Sequence, residues 1–364
     1  MKSILAVIGA RPNIIKMAPV IRSLKTAGAR LKIVHTGQHY GKALSSDIFQ
    51  NLQLPKPDIN FKIGSGSHAH QISECMKKFE SFCLKEKPGL VIVSGDVNST
   101  LACSLVASRL EIPLIHIESG LRSFDPSMPE ETNRILTDHL SNLLFVTEAS
   151  GIKNLKKEGI STKKIHFVGN TMIDSLKETL KKSLALKPWK KFNLTPNNYI
   201  VVTLHRPSNV DNIKNFKLII SALNTVQKKY DIIFPVHPRT QKNLVKIKKS
   251  KIIFSPPLDY LHFLGLIAKA SLIVTDSGGI QEETLALKIP CLTIRENTER
   301  PITITCNSNT LVKLNKNKII SQIKKKLNVK KRTIAAAPKW DGRAHQRITR
   351  IIKLKFQDLF KKIR

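Results

Sequence analysis

Acidic side chains fall in this sequence just after apolar, β-branched runs, a placement suited to moving protons. The run ending at Ser94 continues as Gly95-Asp96-Val97-Asn98-Ser99-Thr100, and Leu114–Ile117 continues as Glu118-Ser119-Gly120-Leu121-Arg122. Glu130 follows in Ser127-Met128-Pro129-Glu130-Glu131-Thr132-Asn133-Arg134. Two carboxylates after two strands of one domain are expected to face one cleft. Three acids crowded there are expected to push some pKa values upward, as general acid–base catalysis requires. Plainer roles stand beside these: Asp96 as a helix N-cap, and Glu130 as the partner of Ser127 in a capping box. Farther along, Tyr199–Leu204 delivers His205-Arg206, and Pro235-Val236 delivers His237. A histidine at a strand end beside an arginine suits proton transfer near neutral pH.

Two other strand ends suit anions. Ile4–Ile8 runs into Gly9-Ala10-Arg11-Pro12-Asn13-Ile14-Ile15-Lys16, where a fresh helix N-terminus is flanked by Arg11 and Lys16. Pro12 fits a first helical turn, and exposed N–H groups with the helix dipole favour negative charge. Leu272–Thr275 runs into Asp276-Ser277-Gly278-Gly279-Ile280-Gln281-Glu282-Glu283, a strand followed by a hydroxyl, two glycines and a helix. Such a turn can cradle a diphosphate, and Glu283 can accept hydrogen bonds from ribose hydroxyls. Neither a G-x-G-x-x-G fingerprint nor a G-K-[ST] loop is present in the sequence.

The elements that must position these residues form a rhythm of short apolar run, Gly- or Asp-bearing turn and amphipathic stretch. Strand-like runs are Ile4–Ile8, Leu31–His35, Leu90–Ser94, Leu114–Ile117, Leu143–Val146 and Ile165–Val168. A second series is Tyr199–Leu204, Ile232–Val236, Lys251–Phe254, Leu272–Thr275 and Cys291–Ile294. Strands alternating with helices predict an α/β fold of two doubly wound, parallel-sheet, Rossmann-like domains. The first is expected over residues 1–170 and the second over 171–341. The amphipathic stretch 342–364 is expected to pack back on the first through Ile348, Ile351, Ile352, Leu354, Phe356 and Leu359. Ligands bind such sheets beyond the carboxyl ends of the strands, so a site in the cleft between the domains is expected.

The chain has 364 residues, 61 Lys or Arg against 26 Asp or Glu, and a formal charge of +35. The cations are spread along the chain and only 5% of residues are aromatic, which leaves little for a base-stacking platform. A lysine-rich solvated surface that attracts small anions is expected, not a nucleic-acid partner. No apolar run reaches the ~18 residues of a membrane helix, so membrane insertion is not expected. Five cysteines with no Cys-x-x-Cys pair argue against a disulfide framework and a structural zinc site. A soluble cytoplasmic protein is expected.

Taken in order, these motifs make the chain resemble the non-hydrolysing UDP-N-acetylglucosamine 2-epimerases, which share the GT-B fold with many glycosyltransferases. The resemblance runs from Gly9-Ala10-Arg11-Pro12 to Thr298-Glu299-Arg300-Pro301 and includes Thr36-Gly37-Gln38-His39, Ser94-Gly95-Asp96 and His116–Ser123. It continues through Pro129–Arg134, Gly169-Asn170-Thr171, Pro257–Tyr260 and Asp276–Glu283. It implies interconversion of UDP-GlcNAc and UDP-ManNAc in polysaccharide biosynthesis, with no NAD and no metal. The implied route is anti elimination of UDP to 2-acetamidoglucal, then re-addition with reprotonation of C2 on its other face. By similarity Asp96, Glu118, Glu130 and His205 are the catalytic positions. Arg11, Lys16, Arg134, Phe263, Ser277, Gly278, Gly279, Glu283 and Arg300 are the substrate and UDP contacts. A homodimer is also implied.

One departure concerns regulation. After His205-Arg206 the chain has Pro207-Ser208-Asn209, where many bacterial members have Arg-Glu-Asn. In such members UDP-GlcNAc activates through residues around Gln38, His39 and that second arginine. Gln38, His39 and Arg206 would be the remnant of that site, and the resemblance carries catalysis to this chain but not activation. Competing readings are a 2-epimerase of a modified UDP-HexNAc, a hydrolysing 2-epimerase releasing ManNAc and UDP, a GT-B glycosyltransferase and a basic nucleic-acid-binding protein. The Gly120–Asp125 segment favours plain GlcNAc, and the Asp96, Glu118 and Glu130 set argues against a glycosyltransferase.

Overall fold

Parallel sheets buried on both faces draw their strands from near-continuous apolar runs, and the sequence supplies them twice. The computed structural model describes residues 2–37, 42–244, 247, 250–328 and 333–360; the side chains of 42–46, 238 and 239 are outside that description, as are Gln38 and His39. The chain divides into two compact units, Met1–Ser175 with Pro338–Arg364, and Leu176–Ala337. The division falls inside the helix Thr171–Ala185.

Unit 1 holds β1 (Ile4–Ile8), β2 (Leu31–His35), β3 (Ile59–Asn60), β4 (Leu90–Ser94), β5 (Leu114–Ser119), β6 (Leu143–Val146) and β7 (Ile165–Phe167). Its sheet is parallel in the order β3-β2-β1-β4-β5-β6-β7. Every residue of β1, β4, β5 and β6 is buried. Leu5, Val7, Val91 and Val93 pack on one face against Phe79, Cys103 and Val106 from the helices His68–Glu86 and Asn98–Arg109. Strand order reverses between β1 and β4, the switch point at which ligands enter doubly wound sheets.

Unit 2 repeats the plan with β8 (Tyr199–Thr203), β9 (Asp231–Pro235), β10 (Ile253–Ser255), β11 (Leu272–Thr275), β12 (Cys291–Ile294) and β13 (Asn309–Val312). The parallel order is β10-β9-β8-β11-β12-β13, with the reversal between β8 and β11. Ile200, Val202 and Val274 meet Phe216 and Leu223 of the helix Ile213–Val226 and Ile319 and Ile323 of the helix Lys316–Leu327. β3 and β13 escape the sequence pattern. β3 has two residues, and β13 opens on the polar Asn309-Thr310.

The helix Ala344–Lys355 packs against Arg11–Thr26 within unit 1. The Asp174 carboxylate accepts from the Ala344 amide (3.2 Å), the His345 amide (2.7 Å) and His345 Nδ1 (2.8 Å), meeting the helix start with negative charge. Trp340 Nε1 donates to the Thr147 carbonyl (2.9 Å) and Arg347 to the Val168 carbonyl (2.9 Å). Gly169 has φ +91°, and a side chain there would strike the Lys339 carbonyl. The apolar face read from sequence is corrected at Leu354, which is 63% exposed, whereas Ile348 and Ile352 are 0% exposed. Leu354 follows Ile352 by two positions, about 200° around a helix of 3.6 residues per turn, and so cannot share its face. Among the described residues no helix is long and apolar enough to cross a membrane.

Ile348→Ala is expected to destabilise the protein by about 2–5 kcal/mol, while Leu354→Ala stays within about 0.5 kcal/mol. Urea titrations of both variants check the contrast, and equal losses would show that the helix docks by another face.

Candidate active site

In unit 1 the ends of β1, β4 and β5 converge on one buried cluster. Ala10, in extended backbone, opens the helix Arg11–Thr26, and its amide donates to Asn13 Oδ1 (3.1 Å). Asn13 Nδ2 donates to the Ser94 carbonyl (2.5 Å) and so ties the first helix to the end of β4. One turn on, the Lys16 ammonium pairs with the Glu118 carboxylate, both side chains buried. Gly95, at φ +67°, lies over this pair. An added Cβ would sit 3.2 Å from Asn13 Nδ2, 3.5 Å from Glu118 Oε2 and 3.6 Å from Lys16 Nζ.

Glu118 has φ +74° within β5, where the pairing with β6 shifts register between Ile117 and Ser119. A left-handed conformation at a non-glycine residue costs about 1–3 kcal/mol and persists only where surroundings enforce it. The bulge turns the side chain out of strand alternation, which is a known use of such irregularities.

Asp96 pairs with Arg134, and Asn133 Nδ2 donates to the Asp96 carbonyl (2.9 Å). Asp96 is not an N-cap: Val97 occupies that position before Asn98–Arg109, with no side-chain cap. The capping box is not formed either, because Met128 is the N-cap of Pro129–Leu140 and the Ser127 hydroxyl donates to Asp125 Oδ1 (2.6 Å). Glu130 is exposed in the first turn of that helix. Its neighbour Glu131 is buried and accepts from the Ser123 amide (2.9 Å), the Ser123 hydroxyl (2.9 Å), the Phe124 amide (2.9 Å) and Arg134 (2.5 Å). Arg134 therefore bridges Glu131 and Asp96. The crowding of three acids expected from sequence is replaced by carboxylates each met by a cation at Asp96 and Glu118, with Glu130 turned to solvent.

In unit 2 the ends of β8 and β11 are joined by a hydrogen bond between the Thr203 and Thr275 hydroxyls (2.7 Å). Asp276 follows, fully buried. It accepts from the His205 amide (3.1 Å), the Arg206 amide (3.0 Å), Asn209 Nδ2 (3.0 Å) and His205 Nδ1 (3.1 Å). Burial, the largest influence on Asp276, favours its neutral form. The bonds from His205, Asn209 and the Arg206 amide outweigh it and hold the carboxyl below its ordinary range. His205 thus offers Nδ1 to a carboxylate and keeps Nε2 for other work, with the His237 ring centroid 5.8 Å away. Arg206 caps the short helix Pro207–Val210, in which Pro207 takes the first position.

The helix Gly278–Leu287 begins after Ser277, whose side chain makes no capping bond. Gly278 lies against Glu299, and a side chain at 278 would overlap the Glu299 carboxylate. Arg300 is buried and pairs with Glu282 (2.8 Å), and Glu299 pairs with Arg295 (2.7 Å). Gln281 Oε1 accepts from Thr298 (2.8 Å) and Asn309 (2.9 Å), locking the turn after β12 to this helix. Gly279 lies in the first turn, Glu283 is buried farther along, and Phe263 is half-buried in the helix Tyr260–Ile267. Arg11, partly buried, starts the first helix of unit 1. Among the described residues no group of three or more His, Cys, Asp or Glu side chains is arranged to hold a metal ion. Asp276 and Glu131 are the residues that sequence reasoning missed. The Glu130-Glu131 doublet three residues before Arg134 was the available signal for one of them.

Comparisons with known proteins agree on one group. A family model described as UDP-N-acetylglucosamine 2-epimerase matches residues 22–353. A UDP-N-acetylglucosamine 2-epimerase of Methanococcus maripaludis is 46% identical over 333 residues, covering 88% of this chain and 90% of that protein. A UDP-2,3-diacetamido-2,3-dideoxy-D-glucuronate 2-epimerase of Pseudomonas aeruginosa is 40% identical over 315 residues, covering 85% of this chain and 88% of the relative. The crystal structure of Methanocaldococcus jannaschii UDP-GlcNAc 2-epimerase in complex with UDP-GlcNAc and UDP superposes with a TM-score of 0.89 at 41% identity. That match covers 97% of this chain and 99% of the other.

Because the folded Asp276 is held below an ordinary aspartate of about 3.9, its stabilisation is complete above that value and declines as pH falls through the lowered one. Asp276→Asn is expected to cost about 1–3 kcal/mol at neutral pH. The gap from wild type is expected to close below about pH 4. Urea midpoints across that range check this, and a pH-independent gap would show that the carboxylate is not held ionised.

Proposed function

Because the chain belongs to the UDP-N-acetylglucosamine 2-epimerase family, we propose that it interconverts UDP-GlcNAc and UDP-ManNAc without hydrolysis. The observation that carries the chemistry is the pair of strand-end carboxylates, Asp96 held by Arg134 and Glu118 held by Lys16 beneath a strained backbone. The C2 hydrogen of the sugar is weakly acidic, so its removal needs carboxylates fixed in place before the substrate arrives.

One carboxylate takes the C2 proton while the C2–H electron pair becomes the C1–C2 double bond. The C1–oxygen bond breaks, and UDP departs with that bonding pair. The resulting 2-acetamidoglucal is retained, a UDP oxygen re-adds to C1, and a second acid returns a proton to the opposite face of C2. Atoms and electrons balance without an external oxidant, so no nicotinamide is required by this route. Unit 2 holds the nucleotide: Ser277, Gly278 and Gly279 present the helix start to the diphosphate, with Glu283 for the ribose, Phe263 beside the base and Arg300 for negative charge. His205, braced by Asp276, presents Nε2 to the departing diphosphate. Glu130, exposed on the helix that carries Arg134, is the third candidate acid.

The Pseudomonas aeruginosa relative supports a second reading, in which the sugar is a modified UDP-HexNAc. Proton NMR of the enzyme with UDP-GlcNAc in D₂O separates the possibilities. Expected is UDP-ManNAc carrying deuterium at C2, at a rate unchanged by EDTA or added NAD. Free ManNAc with UDP would mean hydrolysis, and no C2 exchange would point to the modified sugar. Asp96→Asn, Glu118→Gln and Glu130→Gln are each expected to lose about 10²–10⁴ in rate. Near-native turnover of any one of them removes that residue from the mechanism.

A further inference from the structure

The helix Pro129–Leu140 carries a second buried acid that no step above uses. Asp138 is sealed from solvent, and its two oxygens divide their partners. Oδ1 accepts from His116 Nδ1 (2.7 Å), while Oδ2 accepts from the Gly120 amide (3.0 Å) and pairs with Arg122 (2.7 Å). His116, fully buried, donates from its other nitrogen to the Gly95 carbonyl (2.9 Å). Both ring nitrogens face oxygen acceptors. One carboxylate thus reaches the residues two before and two after Glu118 and, through the histidine, the residue immediately before Asp96.

We propose that Asp138 is a positioning residue for epimerisation, setting through His116 and the Gly120 amide where Glu118 and Asp96 present their carboxylates. The inference rests on the function proposed above. The need for such a device is visible in the backbone: Gly95, Glu118 and Gly120 all have positive φ, at +67°, +74° and +78°. The glycines adopt such backbone freely, but Glu118 between them is left-handed without being glycine and relaxes unless held. Gly120 is pinned on both sides, its amide by Asp138 and its carbonyl by Asn154 Nδ2 (2.9 Å). The same helix holds Asp96 directly, through Asn133 on its carbonyl and Arg134 on its carboxylate. Arg122 closes the network outward with two bonds to Glu158 (2.8 and 2.6 Å). Burial alone would protonate Asp138, but His116 and Arg122 outweigh it and hold the carboxyl low. The bonds to the reactive turns are therefore charge-assisted, the stronger kind.

Asp138→Asn keeps the shape but turns an NH₂ toward either His116 or the Arg122–Gly120 side, which are donors. The test counts binding-competent sites by UDP titration and expresses kcat and C2 deuterium incorporation per site. Expected is unchanged UDP affinity with kcat per site down about 10²-fold, the scale of an ångström-level misplacement. His116→Gln, which leaves Asp138 in place but cannot donate to both Asp138 and Gly95, is read by the same criterion where Asp138→Asn yields no UDP sites. A loss smaller than tenfold per site overturns the proposal, as does failure of both variants to bind UDP, which would make the network structural only. Wild-type enzyme that forms no UDP-ManNAc and exchanges no C2 hydrogen overturns the function itself, and this role with it.

Discussion

A carboxylate sealed from water must be met by cations or N–H donors, and that requirement organises both sheet edges of this protein. Parallel sheets bring every strand end to one side, where loops leave unpaired amides. The buried acids occupy those gaps. Asp138 ties the turns after β4 and β5, Asp276 ties the turns after β8 and β11, and Glu131 closes the loop that begins at Ser123. Asp174 does the same for the helix that returns to unit 1. Except at Glu131, whose loop lies seven to eight residues away, the carboxylate joins segments distant in sequence, so the turns gain a fixed shape from tertiary contacts that local propensity does not supply.

The sheets were legible because strands buried on both faces must be apolar throughout, and β1, β4, β6, β11 and β12 match their apolar runs residue for residue. What escaped were elements whose residues do not advertise burial. β3 is too short to form a pattern, and β13 sets a buried asparagine, Asn309, against β12. The roles of the acids were harder still. Glu130 and Glu131 are chemically identical neighbours, yet one faces water and the other holds a loop, and only helix phase separates them. Ser127 and Glu130 have capping-box spacing, but Pro129 begins the helix two residues after Ser127, and the serine turns to Asp125 instead. The plainer N-cap role for Asp96 stands in the sequence beside the catalytic one because its bond to Arg134 spans 38 residues and leaves no local signal.

The strain at Glu118 follows from the same logic. A residue in regular β5 would alternate between the two helix-covered faces, and neither is a place for a reactive carboxylate. The register shift and the left-handed backbone take Glu118 out of that alternation, and the Lys16 ion pair holds it near the carboxyl end of the strand. Gly95 sits beside it at φ +67°, where an added Cβ would be tight only against Asn13 Nδ2, at 3.2 Å, and in ordinary contact with the pair. The glycine in Ser94-Gly95-Asp96 therefore reflects the left-handed turn and the close Asn13 side chain.

An electrostatic puzzle in the sequence is also resolved. The segment proposed to cradle the diphosphate, Asp276-Ser277-Gly278-Gly279-Ile280-Gln281-Glu282-Glu283, contains three acids. Left uncompensated, they would repel it. The structure gives Asp276 to His205, the Arg206 amide and Asn209, and Glu282 to Arg300, both acids fully buried. Glu299, which lies against Gly278, is matched by Arg295. With Asp276, Glu282 and Glu299 each matched by partners inside the unit, the amides and dipole of the helix start are left to favour an anion. The acids fix the geometry of the turn, and the glycines leave room above its amides for the phosphate proposed to bind there.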